Sequence, residues 1–243
     1  MFMAEGGLMT VLIYFIAAVL PAVILLIYIY RKDRVEKEPG KLLMTLLFGG
    51  LLAAAASLAL ETGAEWATEY LLGYIHLDEQ GMALLDAFEV ALIEEGTKYW
   101  LLKRITWKSK AFNYRFDGVV YAVFVSLGFA AIENILYIFL YAGLDAALMR
   151  AMLAVPAHMT FAVYMGVCYG RAKMYDRRGS RGLKAMFLML AYIVPVVLHT
   201  VYDGTLMIGS DEAMLVFFAF VILIDIFVLI RIRFDSGKDV YIG

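Results

Sequence analysis

The chain has 243 residues, 63% of them hydrophobic, with a mean hydropathy of +0.79 and a formal net charge of −2. A soluble domain is closer to half apolar and about a quarter charged; here 18% of residues are charged, which excludes one soluble core and requires division into membrane spans. No basic run is long enough for a nucleic-acid partner, and the single Cys168, read as a plain buried thiol, excludes an internal disulfide framework or a metal-binding cysteine pair.

The first apolar run, about Met9 to Tyr30, has no basic residue before it and is followed at once by "RKDR". It exceeds a signal-peptide core and is read as a retained span. About 20 apolar residues cross a 30 Å hydrocarbon layer as a helix. That rule predicts seven spans, near 9–30, 41–60, 82–104, 117–141, 146–170, 184–208 and 213–232. The expected fold is an all-α polytopic membrane protein, one integral-membrane domain over 1–243, in the cell membrane. Residues 61–81, "ETGAEWATEYLLGYIHLDEQG", are expected to lie on the outer membrane surface, with Trp66, Tyr70 and Tyr74 in the interfacial belt. His76, in the same stretch, is given no role.

Charge sets the expected orientation. Segments 31–41, 103–116, 171–184 and 231–243 hold 19 of the 21 Lys and Arg, and all four fall on one side of a seven-span topology. Positive charge is retained in the cytoplasm. The N-terminus is therefore expected outside and the C-terminus inside.

Ionisable residues inside spans are costly and mark function. The third span carries Glu94, Glu95 and Lys98, the fourth Glu133 and Asn134, the fifth His158, the sixth His199 and Asp203, and the seventh Asp225. At 1.5 Å per residue, Glu94, His158, His199 and Glu133 lie roughly 15, 18, 22 and 24 Å from the cytoplasmic ends of their spans. They form one slab at middle-to-outer depth, so they should face one another. Asp225, without an evident partner, is expected to be structural or interfacial.

Spacing adds detail. His199 and Asp203 stand at i and i+4, on one helix face. Either both coordinate one centre, or Asp203 orients the imidazole. Lys98 is four residues from Glu94 and three from Glu95, so it can neutralise one carboxylate and leave the other to act. Pro156 and Pro195 precede the two histidines and are expected to open the turns before them.

This set suits hydrolysis. Two imidazoles and a carboxylate, here His158, His199 and Asp203, are the usual ligand types of a catalytic zinc, and a glutamate can accept a proton from water. A metal-free route also fits: Glu activates water while His and Asn groups stabilise the oxyanion. No GxSxG elbow occurs, and Cys168 lies nearer the cytoplasmic end than either histidine.

The motifs "EEGTK" (94–98), "FDG" (116–118), "GFAAIEN" (128–134), "HMTF" (158–161) and "HTVYD" (199–203) occur in this order on successive spans. In order and spacing they resemble the PrsW family of intramembrane proteases, related to the CAAX prenyl protease and bacteriocin-processing group. The resemblance implies site-1 cleavage of a membrane-anchored anti-sigma factor or another single-span substrate. It also implies essential roles for Glu94 and Glu95 and for a histidine, His199 first and His158 second. The depth of the set leads us to expect access from the outer side.

A proton- or ion-coupled transporter with a buried Glu/His relay is the main alternative, although no inverted repeat is evident. A retinal protein needs a lysine in the last span, where there is none. A non-catalytic scaffold would tolerate loss of the glutamates.

Overall fold

A computed structural model describes residues 7–72, 77–138 and 149–243. Seven long helices carry the described chain: α1 Gly7–Lys32, α2 Gly40–Leu72, α3 Glu79–Thr106, α4 Asp117–Tyr137, α5 Ala154–Arg177, α6 Arg181–Ile208 and α7 Asp211–Gly237. Their ends follow local chemistry. Asp78 caps α3 by accepting from the Gly81 N–H at 2.8 Å, and Ser210 does the same for α7 through Ala213. Gly209 closes α6 in the left-handed region at φ 63°, which glycine adopts without a Cβ clash.

Among the described residues six helical segments are long and apolar enough to cross a membrane; α3 falls outside that group, although its 28 residues give it sufficient length. Its mid-helix charges Glu94, Glu95 and Lys98, which lower its hydropathy, face inward. α4 lies at the centre, with 72% of its most apolar window buried, against 11% for α1 and 17% for α7. The outer helices display apolar residues such as Ile16, Ile24, Leu215 and Phe227, the surface that lipid requires.

Two close backbone approaches seat α4. A Cβ at Gly128 would lie 2.3 Å from the Leu47 carbonyl of α2, and one at Gly118 would lie 2.7 Å from the Gly166 carbonyl of α5. Small residues replace the missing hydrophobic drive between helices in lipid. The contacts set the depth and rotation of the helices that carry Glu133 and His158.

Several expectations are corrected. Residues 61–72 do not form a separate surface segment; they continue α2, because "ETGAEWATEYLL" is rich in Ala, Glu and Leu and has no proline. Trp66 and Tyr70 remain exposed on that extension, while Tyr74 and His76 lie outside the described residues. Residues 139–141 of the fourth expected span and 146–148 of the fifth also lie outside them. Pro156 falls in the first turn of α5, and the helical path is interrupted just before it at Leu153, between the turn at 149–152 and α5, as expected of a proline without an N–H. Asp225 has the structural place expected of it, accepting from Thr160 Oγ1 at 2.6 Å and tying α7 to α5. Cys168 is half-buried.

At the end bearing the basic segments, the C-terminal tail returns to the α3–α4 connection. Arg115 N–H donates to the Val240 carbonyl at 3.0 Å and Ile242 N–H to the Asn113 carbonyl at 2.7 Å. Asp33 and Glu38, between α1 and α2, are buried beneath this seam, and Tyr121 donates to Glu38 Oε2 at 2.5 Å.

Candidate active site

The buried stripe of α3 runs Ala87, Ala91, Glu94, Glu95, Lys98 and Leu102, the period of a helix packed on one side. Three ionisable residues thus stand where an ordinary helix would place alanine or leucine. α6 presents His199 on the stripe that also carries Ala191, Pro195, Val196 and Tyr202. The two stripes face each other, and α5 adds His158 from the third side.

Lys98 is the hub. Its ammonium donates to Glu94 Oε2 at 3.0 Å, Glu95 Oε1 at 2.8 Å and His158 Nδ1 at 3.2 Å, and lies 4.0 Å from the centre of the Phe129 ring. An ammonium offers three donors and no acceptor, so its capacity is spent. Nδ1 of His158 must then accept, and Nε2 carries the hydrogen that it shares with Glu133 Oε2 at 2.8 Å. His199 lies between two carboxylates, with Nδ1 3.1 Å from Glu95 Oε1 and Nε2 3.1 Å from Asp203 Oδ2. The two imidazoles meet edge to face with ring centres 5.8 Å apart, and Phe161 stacks on His199.

A cavity of about 590 Å³ opens onto this cluster. Glu94, Glu133, His158, His199 and Asp203 line it; Glu95, fully buried, does not. Glu94 holds Lys98 through Oε2 alone, and its other oxygen makes no hydrogen bond among the described residues. The paired glutamates therefore differ: Glu94 fronts the cavity, and Glu95 braces Lys98 and His199 from behind.

Asn134 and Asp203 have the following surroundings. Asn134 is fully buried, donating to the Ala18 carbonyl of α1 at 2.9 Å and accepting from Arg150 Nε at 2.9 Å. One residue along a helix is about 100° of rotation, so Glu133 and Asn134 cannot both face the cavity. The Asn134 amide is thus engaged with α1 and is not turned to the cavity. Asp203 lines the cavity with Oδ2 3.1 Å from His199 Nε2, the contact that the orienting option requires.

Two residues were missed. Arg150, in a helical turn at 149–152 leading into α5, bonds Glu133 Oε1 at 2.8 Å. Glu61, assigned to the surface stretch, lines the cavity from α2 with Oε1 buried and unpartnered. A signal for Arg150 existed: once 19 of the 21 basic residues are assigned to one face, the two left over are Lys98 and Arg150.

The donors fit a divalent transition metal. Ligand atoms of Glu94, Glu133 and His158 lie within 4.8 Å of one another, as do those of Glu94, Glu95 and His199. Glu95 Oε2 is buried without a hydrogen-bond partner, and imidazole with carboxylate suits zinc-class ions. Carboxylates outnumber fixed cations in the chamber, an excess that a dication would offset.

Fold and site together define a polytopic all-helical membrane protein with an acid–base chamber among its helices. The profile of the PrsW family intramembrane metalloproteases matches residues 37–230, and the chain belongs to that family. It is similar to Protease PrsW of Clostridioides difficile strain 630, with 31% identity over 214 residues covering 86% of each chain. Protease PrsW of Oceanobacillus iheyensis is 31% identical over 89% of this chain and 93% of its own. For that of Halalkalibacterium halodurans the values are 33%, 86% and 90%. No solved structure gives a significant match. The protein is an intramembrane protease spanning the cell membrane several times.

Proposed function

We propose that the protein cuts a single-span membrane substrate, an anti-sigma factor being the kind implied by the motif resemblance, in a first cleavage near the outer end of the substrate helix. The N-terminus lies outside, the C-terminus inside, and the whole chain acts as one membrane domain. Carrying this reading is one observation: Glu94 fronts the cavity with one oxygen held by Lys98 and the other open.

Glu94 is the general base. It takes a proton from a cavity water as the oxygen attacks the scissile carbonyl carbon, and the carbonyl electron pair moves to its oxygen. When the tetrahedral centre collapses, the C–N bond breaks and the proton on Glu94 passes to the leaving amine. Lys98 holds Glu94 in place, Glu95 fixes Lys98 and His199 together, and Asp203 sets the ring of His199. The surrounding apolar walls, including Leu153, Ala157 and Phe161, exclude bulk water and strengthen these interactions.

A zinc-class ion would be held by His158 and Glu133 beside Glu94, whose ligand atoms lie within 4.8 Å of one another, with His158 giving up one of its present hydrogen bonds. When bound, such an ion polarises the carbonyl and makes water more acidic. A metal-free route is favoured by a different observation: the Lys98 ammonium already gathers Glu94, Glu95 and His158 around one cation. Membership of a protease family favours peptide cleavage over proton-coupled transport.

Elemental analysis of the purified protein, paired with cleavage of a co-expressed single-span reporter with and without chelator, tests the reading. About one equivalent of zinc with chelator-sensitive cleavage supports the metal centre. Undiminished cleavage by metal-free protein overturns it in favour of the glutamate route.

A further inference from the structure

Hydrolysis needs a donor for the oxyanion, and most donors around the cavity are already committed. Lys98 spends its three on Glu94, Glu95 and His158. Both nitrogens of each histidine are paired, and the Asn134 amide is turned to Ala18. Arg150 differs. A guanidinium has five N–H donors; Arg150 uses Nη2 on Glu133 Oε1 and Nε on Asn134 Oδ1. The Nη1 pair and one Nη2 hydrogen have no partner among the described residues.

Arg150 is also held in place. Its two acceptors are consecutive residues of α4, and its Cζ lies 3.9 Å from the centre of the Tyr137 ring. It lines the cavity with a side chain 17% exposed. A fixed cation with spare donors beside a hydrolytic base has the electrostatics of an oxyanion site, preorganised and sheltered from water. A tie between helices would need only the two bonds already made.

We propose that Arg150 is a catalytic residue of the peptidase reaction, donating through its free N–H groups to the carbonyl oxygen as it becomes an oxyanion. Glu133 and Asn134 are its positioning residues. The inference rests on Glu94 acting as base at the same cavity, but on neither the metal-bound nor the metal-free route. The scissile carbonyl is thereby oriented with carbon toward Glu94 and oxygen toward Arg150.

The test uses the full chain in detergent with a single-span reporter peptide bearing a fluorophore–quencher pair across the outer end of its helix. Arg150→Lys and Arg150→Ala should each lower kcat by ~10²–10³-fold, the loss seen on removing one oxyanion donor, with KM little changed. Added guanidinium should restore part of the kcat of Arg150→Ala and none of that of Glu94→Gln. Wild-type kcat in Arg150→Ala would overturn the proposal. So would a raised KM at unchanged kcat, or a loss that tracks lowered thermal stability and is unaffected by guanidinium. Glu94→Gln separates the two claims: full activity there removes the base assignment, whereas the Arg150 result stands on its own kcat.

Discussion

The Lys98 ammonium lies 3.2 Å from Nδ1 of His158 and joins α3 to α5 behind the cavity lining. This bond assigns the histidine hydrogen to Nε2 and hands it to Glu133. Through one lysine, the carboxylate pair of α3 and the imidazole–carboxylate pair of α5 and α4 become a single network.

Removing the hub should be costly. Lys98→Met keeps the length of the side chain but leaves Glu94 and Glu95 buried without their cation. Breaking a buried pair on one side costs about 3–5 kcal/mol. Thermal unfolding in detergent should show that loss for Lys98→Met, and the double variant Lys98→Met/Glu95→Gln should lose less than the two single changes combined. Additive losses would mean that the residues are not coupled.

The two adjacent glutamates should separate in their effects. Glu94→Gln removes a base that fronts the cavity, so cleavage should fall ~10²–10⁴-fold with the melting temperature nearly unchanged. Glu95→Gln disturbs Lys98 and His199 from behind and should lower both activity and melting temperature. Matching stability profiles for the two variants would contradict the distinction.

Asp203→Asn should act through His199. Partners that orient a metal-binding or catalytic histidine are worth roughly 10–100-fold in affinity or activity. A comparable loss in cleavage, with Asp203→Glu recovering part of it, is the expected outcome. Unaltered activity in Asp203→Asn would remove Asp203 from the machinery.

Stability should also depend on pH at the basic end, away from the chamber. Burial raises Asp33 from its ordinary 3.8 to about 6, with Asp239 and Glu36 adding to the rise and Lys37 opposing it. Burial raises Glu38 as well, with Asp33 contributing. A carboxyl whose folded value is raised stabilises the fold fully below its unfolded value, and that contribution is lost as pH climbs through the folded one. The melting temperature should therefore decline between pH 4 and pH 7, and Asp33→Asn should flatten the decline. A rising profile over that window would contradict it.

Hydropathy made the helices legible, because a lipid-crossing segment must satisfy its own backbone and remain apolar over about 20 residues. Depth made the chamber legible: Glu94, His158, His199 and Glu133 fell in one slab, and they meet. Rotation was less accessible. Asn134 follows Glu133 directly, yet the two point to different neighbours, and only the packing of α1 decides which faces inward. Glu61 was hidden because an acidic, aromatic stretch past the apolar run reads as surface, whereas α2 continues as one helix to Leu72. The choice between Glu94 and Glu95 depended on the cavity, which no spacing rule describes.

Central to the proposed function is Glu94 as the base of an intramembrane cut. Its most direct test is cleavage of a co-expressed single-span reporter by wild-type protein and by Glu94→Gln at equal membrane levels. A shortened reporter is expected with the wild type and an intact one with Glu94→Gln. Equal cleavage by both would contradict it.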